Sequence, residues 1–240
     1  SVLSAIREAS RHHITVKGGK YLEAVADADT IVFDKTGTLT MAKPTVAKMV
    51  VFNGEEPDEL LRLAACMEEH FPHSMAKAVV DAAKKKRLDH DEMHSKVEYM
   101  VAHGISTTVE GKRAVIGSYH FVFEDEKCVI PEGKQELFDS LPEEYSHLYL
   151  ALENRLAAVI CIEDPLREEA PEVIRQLKAC GFSKVVMMTG DSERTARSIA
   201  GRVGVDEYYS KVLPEDKAGF VEKAKESGHK VIMIGDGIND

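Results

Sequence analysis

The sequence predicts an α/β protein, an open parallel sheet flanked by helices and interrupted by an inserted α+β domain. Three observations carry this reading. Short apolar runs end in polar, glycine-containing loops at 30–33, 184–188 and 230–234. Helical patterns closed by glycine precede and follow the second run. From Pro44 to Glu163 the pattern changes to helices followed by alternating strands. Continuous apolar strands are those buried on both faces, and strand–loop–helix repetition builds a parallel sheet.

In chain order, residues 1–13 read as a helix with apolar Val2, Leu3 and Ile6 and basic residues near its end. The chain starts without Met and stops at Asp240 inside a loop motif, so it reads as a piece of a longer polypeptide, this first helix continuing one that begins upstream. Gly18 and Gly19 break the pattern, and a short helix follows through Leu22 and Val25. The first strand, Thr30–Phe33, runs into Asp34-Lys35-Thr36-Gly37-Thr38-Leu39-Thr40. In the insert, helices are predicted at 58–66 and 74–86, and strands at 97–100, 105–110, 113–116, 148–152 and 157–162. Glu110-Gly111-Lys112 suits a hairpin turn. The chain would cross into the insert at Thr40–Pro44 and back at Glu163-Asp164-Pro165. The domains are therefore 1–43, 44–163 and 164–240, the first and last forming one unit.

The last third is the most regular. Val173, Ile174 and Leu177 give a helix over Pro171–Ala179, stopped by Gly181. Lys184–Met188 then leads into Thr189-Gly190-Asp191. Ser192 caps a helix that ends at Gly204, and a further helix opens at Pro214 and closes at Gly228. Lys230–Ile234 leads into Gly235-Asp236-Gly237-Ile238-Asn239-Asp240.

With 44% hydrophobic and 30% charged residues the chain is globular rather than disordered. A net charge of −10 argues against a nucleic-acid partner, whose phosphates are bound through Lys and Arg. The four cysteines form no CxxC pair, so neither a zinc knuckle nor a disulfide framework is suggested. No apolar run reaches the ~18 residues that span a bilayer. The basic run Lys84–Arg87 reads as a solvated helix end.

Ligands of open α/β sheets sit at the carboxyl ends of strands, where all three polar motifs fall. Asp34 is placed to attack a phosphoryl group, with backbone N–H groups of the glycine turn as a cradle. Asp236 and Asp240 offer hard oxygen ligands suited to Mg²⁺. Lys217 can hold a phosphoryl oxygen as a point charge, and Thr189 adds a hydroxyl. Each residue alone has an ordinary alternative as a turn, cap or surface side chain; it is the ordered set that is specific.

That set resembles the P-type cation-transporting ATPases. Asp34–Thr40 resembles their phosphorylation signature, Thr189-Gly190-Asp191 and Gly235–Asp240 their two further motifs in the same order, and Asp164-Pro165 their second hinge. The resemblance implies a haloacid-dehalogenase-like Rossmannoid phosphorylation domain with an inserted nucleotide-binding domain. ATP and Mg²⁺ would be its ligands. Asp34 would be the nucleophile, with Thr189 and Lys217 on the phosphoryl group and Gly190 and Asp191 beside it. Asp34, the Thr36 carbonyl and Asp236 would hold Mg²⁺, supported by Asp240. Thr36 stands where soluble phosphatases of the superfamily carry a second Asp as acid/base, so hydrolysis of an aspartyl phosphate would be slow.

Within the insert, Glu68 and His73, in Glu68-Glu-His-Phe-Pro-His73, are similar to the heavy-metal-transporting (type IB) branch. Gly104 and Gly117 resemble glycines of the same branch. There the His and Glu help hold the adenine, and glycines let the base approach the backbone. Ser74 and Ala102 depart from the pattern, where Pro and Gly are expected. The resemblance further implies transmembrane and actuator domains elsewhere in the polypeptide, a heavy-metal cation bound there, and a place on the cytoplasmic face of a membrane. Two alternatives remain: a soluble phosphatase with a cap domain, shown by rapid phosphate-monoester hydrolysis, and a metal-binding module built on His70 and His73, shown by stoichiometric zinc binding.

Overall fold

A computed structural model describes residues 2–69, 74–88, 94–101, 104–109 and 111–237. Two sheets organise it, one parallel and one antiparallel. The parallel sheet contains β1 (Thr30–Asp34), β8 (Lys184–Met188), β9 (Glu207–Tyr209) and β10 (Val231–Ile234), in the order β10-β1-β8-β9. β1 is central, with Thr30 beside both Lys184 and Val231. Because side chains alternate across a strand, each apolar run feeds two cores. Ile31, Phe33, Val185 and Met187 pack under α6 (Ala170–Ala179) and α7 (Glu193–Val203). Val32, Val186 and Met188 face the other way, toward Val212 and Phe220, the latter on α8 (Pro214–Glu226).

The second sheet has the order β2-β7-β6-β5-β4-β3 and is antiparallel throughout. Its strands are β2 (Thr45–Val51), β3 (His94–Val101), β4 (Gly104–Val109), β5 (Lys112–Gly117), β6 (Ser146–Leu152) and β7 (Arg155–Glu163). Helices α3 (Pro57–Glu68) and α4 (Ser74–Lys85) cover one face through Leu60, Leu61, Val79 and Ala83. The other face is covered by a wide helical turn at His120–Asp125 and by α5 (Gln135–Asp139), with Tyr119, Phe123, Phe138 and Tyr149 meeting edge-on or tilted.

The helices and strands predicted above form, with ends shifted by up to three residues, the most at the start of β3. β4 and β5 pair from Val109 opposite Lys112, and Gly111 takes a left-handed φ of 79°. Glu110, the other residue of that turn, lies outside the described residues. β2 was not predicted, because a bulge between Val46 and Lys48 breaks its alternation. The first helix, α1 (Val2–Arg11), packs against α2 (Gly19–Ala26) and buries no residue. Cys66, Cys128 and Cys161 are buried and Cys180 is exposed, all as free thiols.

The chain passes between the sheets twice, and the two passages lie side by side. Thr40 bridges Leu166, and the Met41 amide donates to the Pro165 carbonyl at 2.9 Å. The Thr40 hydroxyl donates to Asp164 Oδ2 at 2.5 Å. No helix among the described residues is long and apolar enough to cross a membrane.

Candidate active site

The parallel sheet presents its carboxyl ends to the insert. Asp34 ends β1, and its Oδ2 accepts from Lys217 Nζ at 2.8 Å. Lys217 lies in the first turn of α8, where Pro214 sets the start of the helix and aims the lysine back toward the strand ends. Both side chains are largely buried, so the pair is shielded from bulk screening.

After Asp34 the chain curls through Lys35–Leu39. Gly37 has a φ of 78°, and a methyl group there would come to 2.7 Å from Asp236 Oδ2. Glycine is thus required twice over, for the backbone and for the approach of Asp236. The Gly37 amide donates to the Thr40 hydroxyl at 3.0 Å. That amide is engaged within the loop, which narrows the backbone cradle expected from the sequence. Arg167 ties the loop to the return passage, donating to the Thr38 carbonyl at 3.0 Å and to that of Gly37 at 3.4 Å.

The adjoining strand end carries Thr189, Gly190 and Asp191. The Thr189 hydroxyl donates to Asp191 Oδ2 at 2.8 Å and accepts from the Asp191 amide at 3.1 Å. Lys35 Nζ reaches the same Oδ2 at 2.7 Å and also donates to Ser146 Oγ at 2.9 Å. Burial by itself would raise the Asp191 carboxyl, but the Lys35 charge and the hydrogen bonds from Lys35, Ser146 and Thr189 outweigh it and hold it below the usual carboxylate value. Sequence reasoning assigned no role to Lys35, Ser146 or Arg167. The signal for Lys35 was its place in the Asp34 loop; Ser146 and Arg167 gave none, since their partners are distant in the chain.

A cleft of about 230 Å³ joins this cluster to the insert. On one side it reaches Asp34, Thr36, Thr189 and Lys217, and on the other Glu68, Gly104 and Gly117, under the apolar wall of Ile105, Leu148 and Ile162. Of the predicted site residues, Asp34, Thr36, Thr189, Gly190, Asp191, Lys217, Glu68, Gly104 and Gly117 therefore line one cleft. Asp236 stands against Gly37 at its edge. His73 and Asp240 lie outside the described residues, as do His70 and Ala102.

The donor set suits Mg²⁺. Asp34, Asp236 and the Thr36 carbonyl are hard oxygens, and Mg²⁺ completes its shell with water and phosphate rather than with a protein cage. Among the described residues no cluster of three His, Cys, Asp or Glu side chains offers a softer metal a site.

Comparisons with known proteins bear on the family and the fold. A family model described as haloacid dehalogenase-like hydrolase matches residues 28–240. A manganese-exporting P-type ATPase of Mycobacterium tuberculosis (strain ATCC 25618 / H37Rv) is 36% identical over 242 residues, covering 100% of this chain and 33% of the relative. A zinc-exporting P-type ATPase of Mycobacterium marinum is 35% identical over the same shares of each. The chain thus spans about a third of the length of the curated relatives it matches. Among solved structures, the catalytic domain of the CPx-ATPase CopB-B, solved for its conformational changes upon nucleotide binding, superposes with a TM-score of 0.72. It is 27% identical, over 94% of this chain and 78% of that one.

Proposed function

The chain belongs to the haloacid dehalogenase-like hydrolases and matches the catalytic part of heavy-metal P-type ATPases over its whole length, and from that premise we propose that it binds ATP and transfers the γ-phosphoryl group to Asp34. The observation that carries this is Lys217 Nζ at 2.8 Å from Asp34 Oδ2, in one cleft with Thr189 and Glu68. An Asp34 carboxylate oxygen forms a bond to the γ-phosphorus, the bond from that phosphorus to the bridging oxygen breaks, and ADP leaves with the electron pair. Lys217 balances the negative charge that gathers on the transferring group, and Thr189 can turn its hydroxyl from Asp191 to a phosphoryl oxygen. Mg²⁺ held by Asp34, the Thr36 carbonyl and Asp236, with Asp240 in support, supplies charge neutralisation when bound. Thr36 provides no acid/base, so the aspartyl phosphate persists.

In this reading residues 44–163 are the nucleotide-binding domain. Glu68, Gly104 and Gly117, together with His73, take the adenine end against Ile105 and Leu148. Residues 1–43 and 164–240 form the phosphorylation domain. The intact protein would couple this chemistry to export of a heavy-metal cation through transmembrane and actuator domains, with the catalytic part on the cytoplasmic face.

The test is acid-quenched labelling with γ-labelled ATP and Mg²⁺. The wild-type chain should carry one hydroxylamine-labile phosphate, and Asp34→Asn none. Rapid hydrolysis of p-nitrophenyl phosphate without a trapped phosphoenzyme would replace this reading with that of a soluble phosphatase.

A further inference from the structure

The two passages between the sheets are adjacent, so by themselves they leave the angle between insert and parallel sheet free, as a hinge does. That angle is set by contacts away from the hinge, and three of them come from cations at the carboxyl end of the parallel sheet. Lys35 reaches Ser146, as described. Lys211 Nζ lies 3.3 Å from Glu124 Oε1 and 4.1 Å above the Tyr119 ring. Arg194, the second residue of α7, makes the most extensive contact. Its Nε donates to Glu143 Oε1 at 2.9 Å, and its terminal nitrogens donate to the carbonyls of Asp139 at 2.5 Å and Leu141 at 3.4 Å. The neighbouring Thr195, 1% exposed, donates its hydroxyl to the Tyr145 carbonyl at 3.1 Å.

All four acceptors belong to the segment that leads from α5 into β6, and so to the insert. An arginine that served only α7 would pair along its own helix, as Arg197 does with Glu193. Arg194 instead spends its planar fork on two main-chain carbonyls and a carboxylate across the divide, a set that a lysine point charge cannot satisfy together. The segment it holds runs directly into Ser146 and His147, which line the cleft.

We propose that Arg194 is a positioning residue that latches the insert over Asp34, with Lys211 as a second tether, so that the orientation of the insert is set by protein contacts at this joint as well as by the hinge. This rests on the reading of the cleft as the ATP site. Arg194 is 43% exposed and touches none of the reacting groups, so its loss should change domain orientation without unfolding α7.

Two measurements on the full chain test the latch. The first is small-angle X-ray scattering without nucleotide: Arg194→Ala should expand relative to wild type, and Arg194→Lys should expand less. The second compares phosphoryl donors. At saturating ATP the labelling rate of Arg194→Ala should fall about tenfold, the scale of one lost charge-assisted hydrogen bond. Labelling by acetyl phosphate, which reaches Asp34 without engaging the insert, should stay within about twofold of wild type. An equal fall with both donors, or unchanged scattering with unchanged ATP labelling, overturns the latch. If Arg194→Ala misfolds, Glu143→Gln makes the same comparison from the opposite side. A wild-type chain labelled by neither donor would refute the proposed function, while scattering would still judge the latch.

Discussion

A methyl group added at Gly104 would come to 1.9 Å from Cδ1 of Phe121, whose ring is fully buried. The sequence suggests that this glycine admits a flat base; the structure adds that it also admits the Phe121 ring. Gly104→Ala should therefore destabilise by at least about 1–3 kcal/mol, as overpacking does. Urea unfolding would show this, and Phe121→Leu in the same chain should recover part of the loss. A stable Gly104→Ala with weakened nucleotide binding would instead return the residue to a purely ligand-facing role. The motif residues were legible one by one, since Asp34, Thr189, Asp191 and Lys217 stand in ordered strings. Their cross-chain partners were not. Ser146 and Arg194 have unremarkable neighbours in sequence and gain meaning only when the insert folds back over the strand ends.

At the level of elements, legibility followed the strength of local signals. α7 was readable from end to end: Ser192 accepts from the Thr195 amide, and Gly204 closes the helix in the left-handed region. Ser192→Ala should cost about 0.5–1 kcal/mol, toward the low end because the capping contact is long. A larger loss in thermal unfolding would mean that the residue supports the neighbouring Asp191 loop as well. β1 and β8 were equally plain, because strands buried on both faces are apolar without interruption, and the edge strand β10 carries the same apolar run although it is only half-buried. β2 and the wide turn at His120–Asp125 were not. A bulge shifts the side-chain register of β2 partway along, and the turn carries Tyr119, Phe121 and Phe123 two residues apart, a spacing that reads as a strand although the segment curls as a helical turn.

For the whole molecule, pH acts through groups trapped near the joint between the two sheets. Burial holds the His147 imidazole below the usual 6.5, against the Pro142 carbonyl and the Asp191 charge, which favour the protonated ring. The unfolded chain therefore binds this proton first as pH falls. Stability should drop from about pH 6.5 downward until the folded ring also titrates. Asp191 adds a separate loss at more acid pH, since its lowered carboxyl stabilises the fold above 3.8 and ceases to do so as pH falls through the folded value. Denaturant midpoints at pH 7.5 and 5 should differ less in His147→Gln than in wild type; an identical difference would assign the acid sensitivity to other groups.

The side-by-side passages at Thr40 and Asp164 also bear on how such a chain can assemble. β1 must find β8 across the entire insert, a closure whose entropic cost grows with the length of free chain between them. Once residues 44–163 have folded, that free chain shrinks to 35–43 and 164–183, and the distant strands become near neighbours. The insert thereby works as a staple for the parallel sheet, and anything that delays its folding delays the making of Asp34's own scaffold.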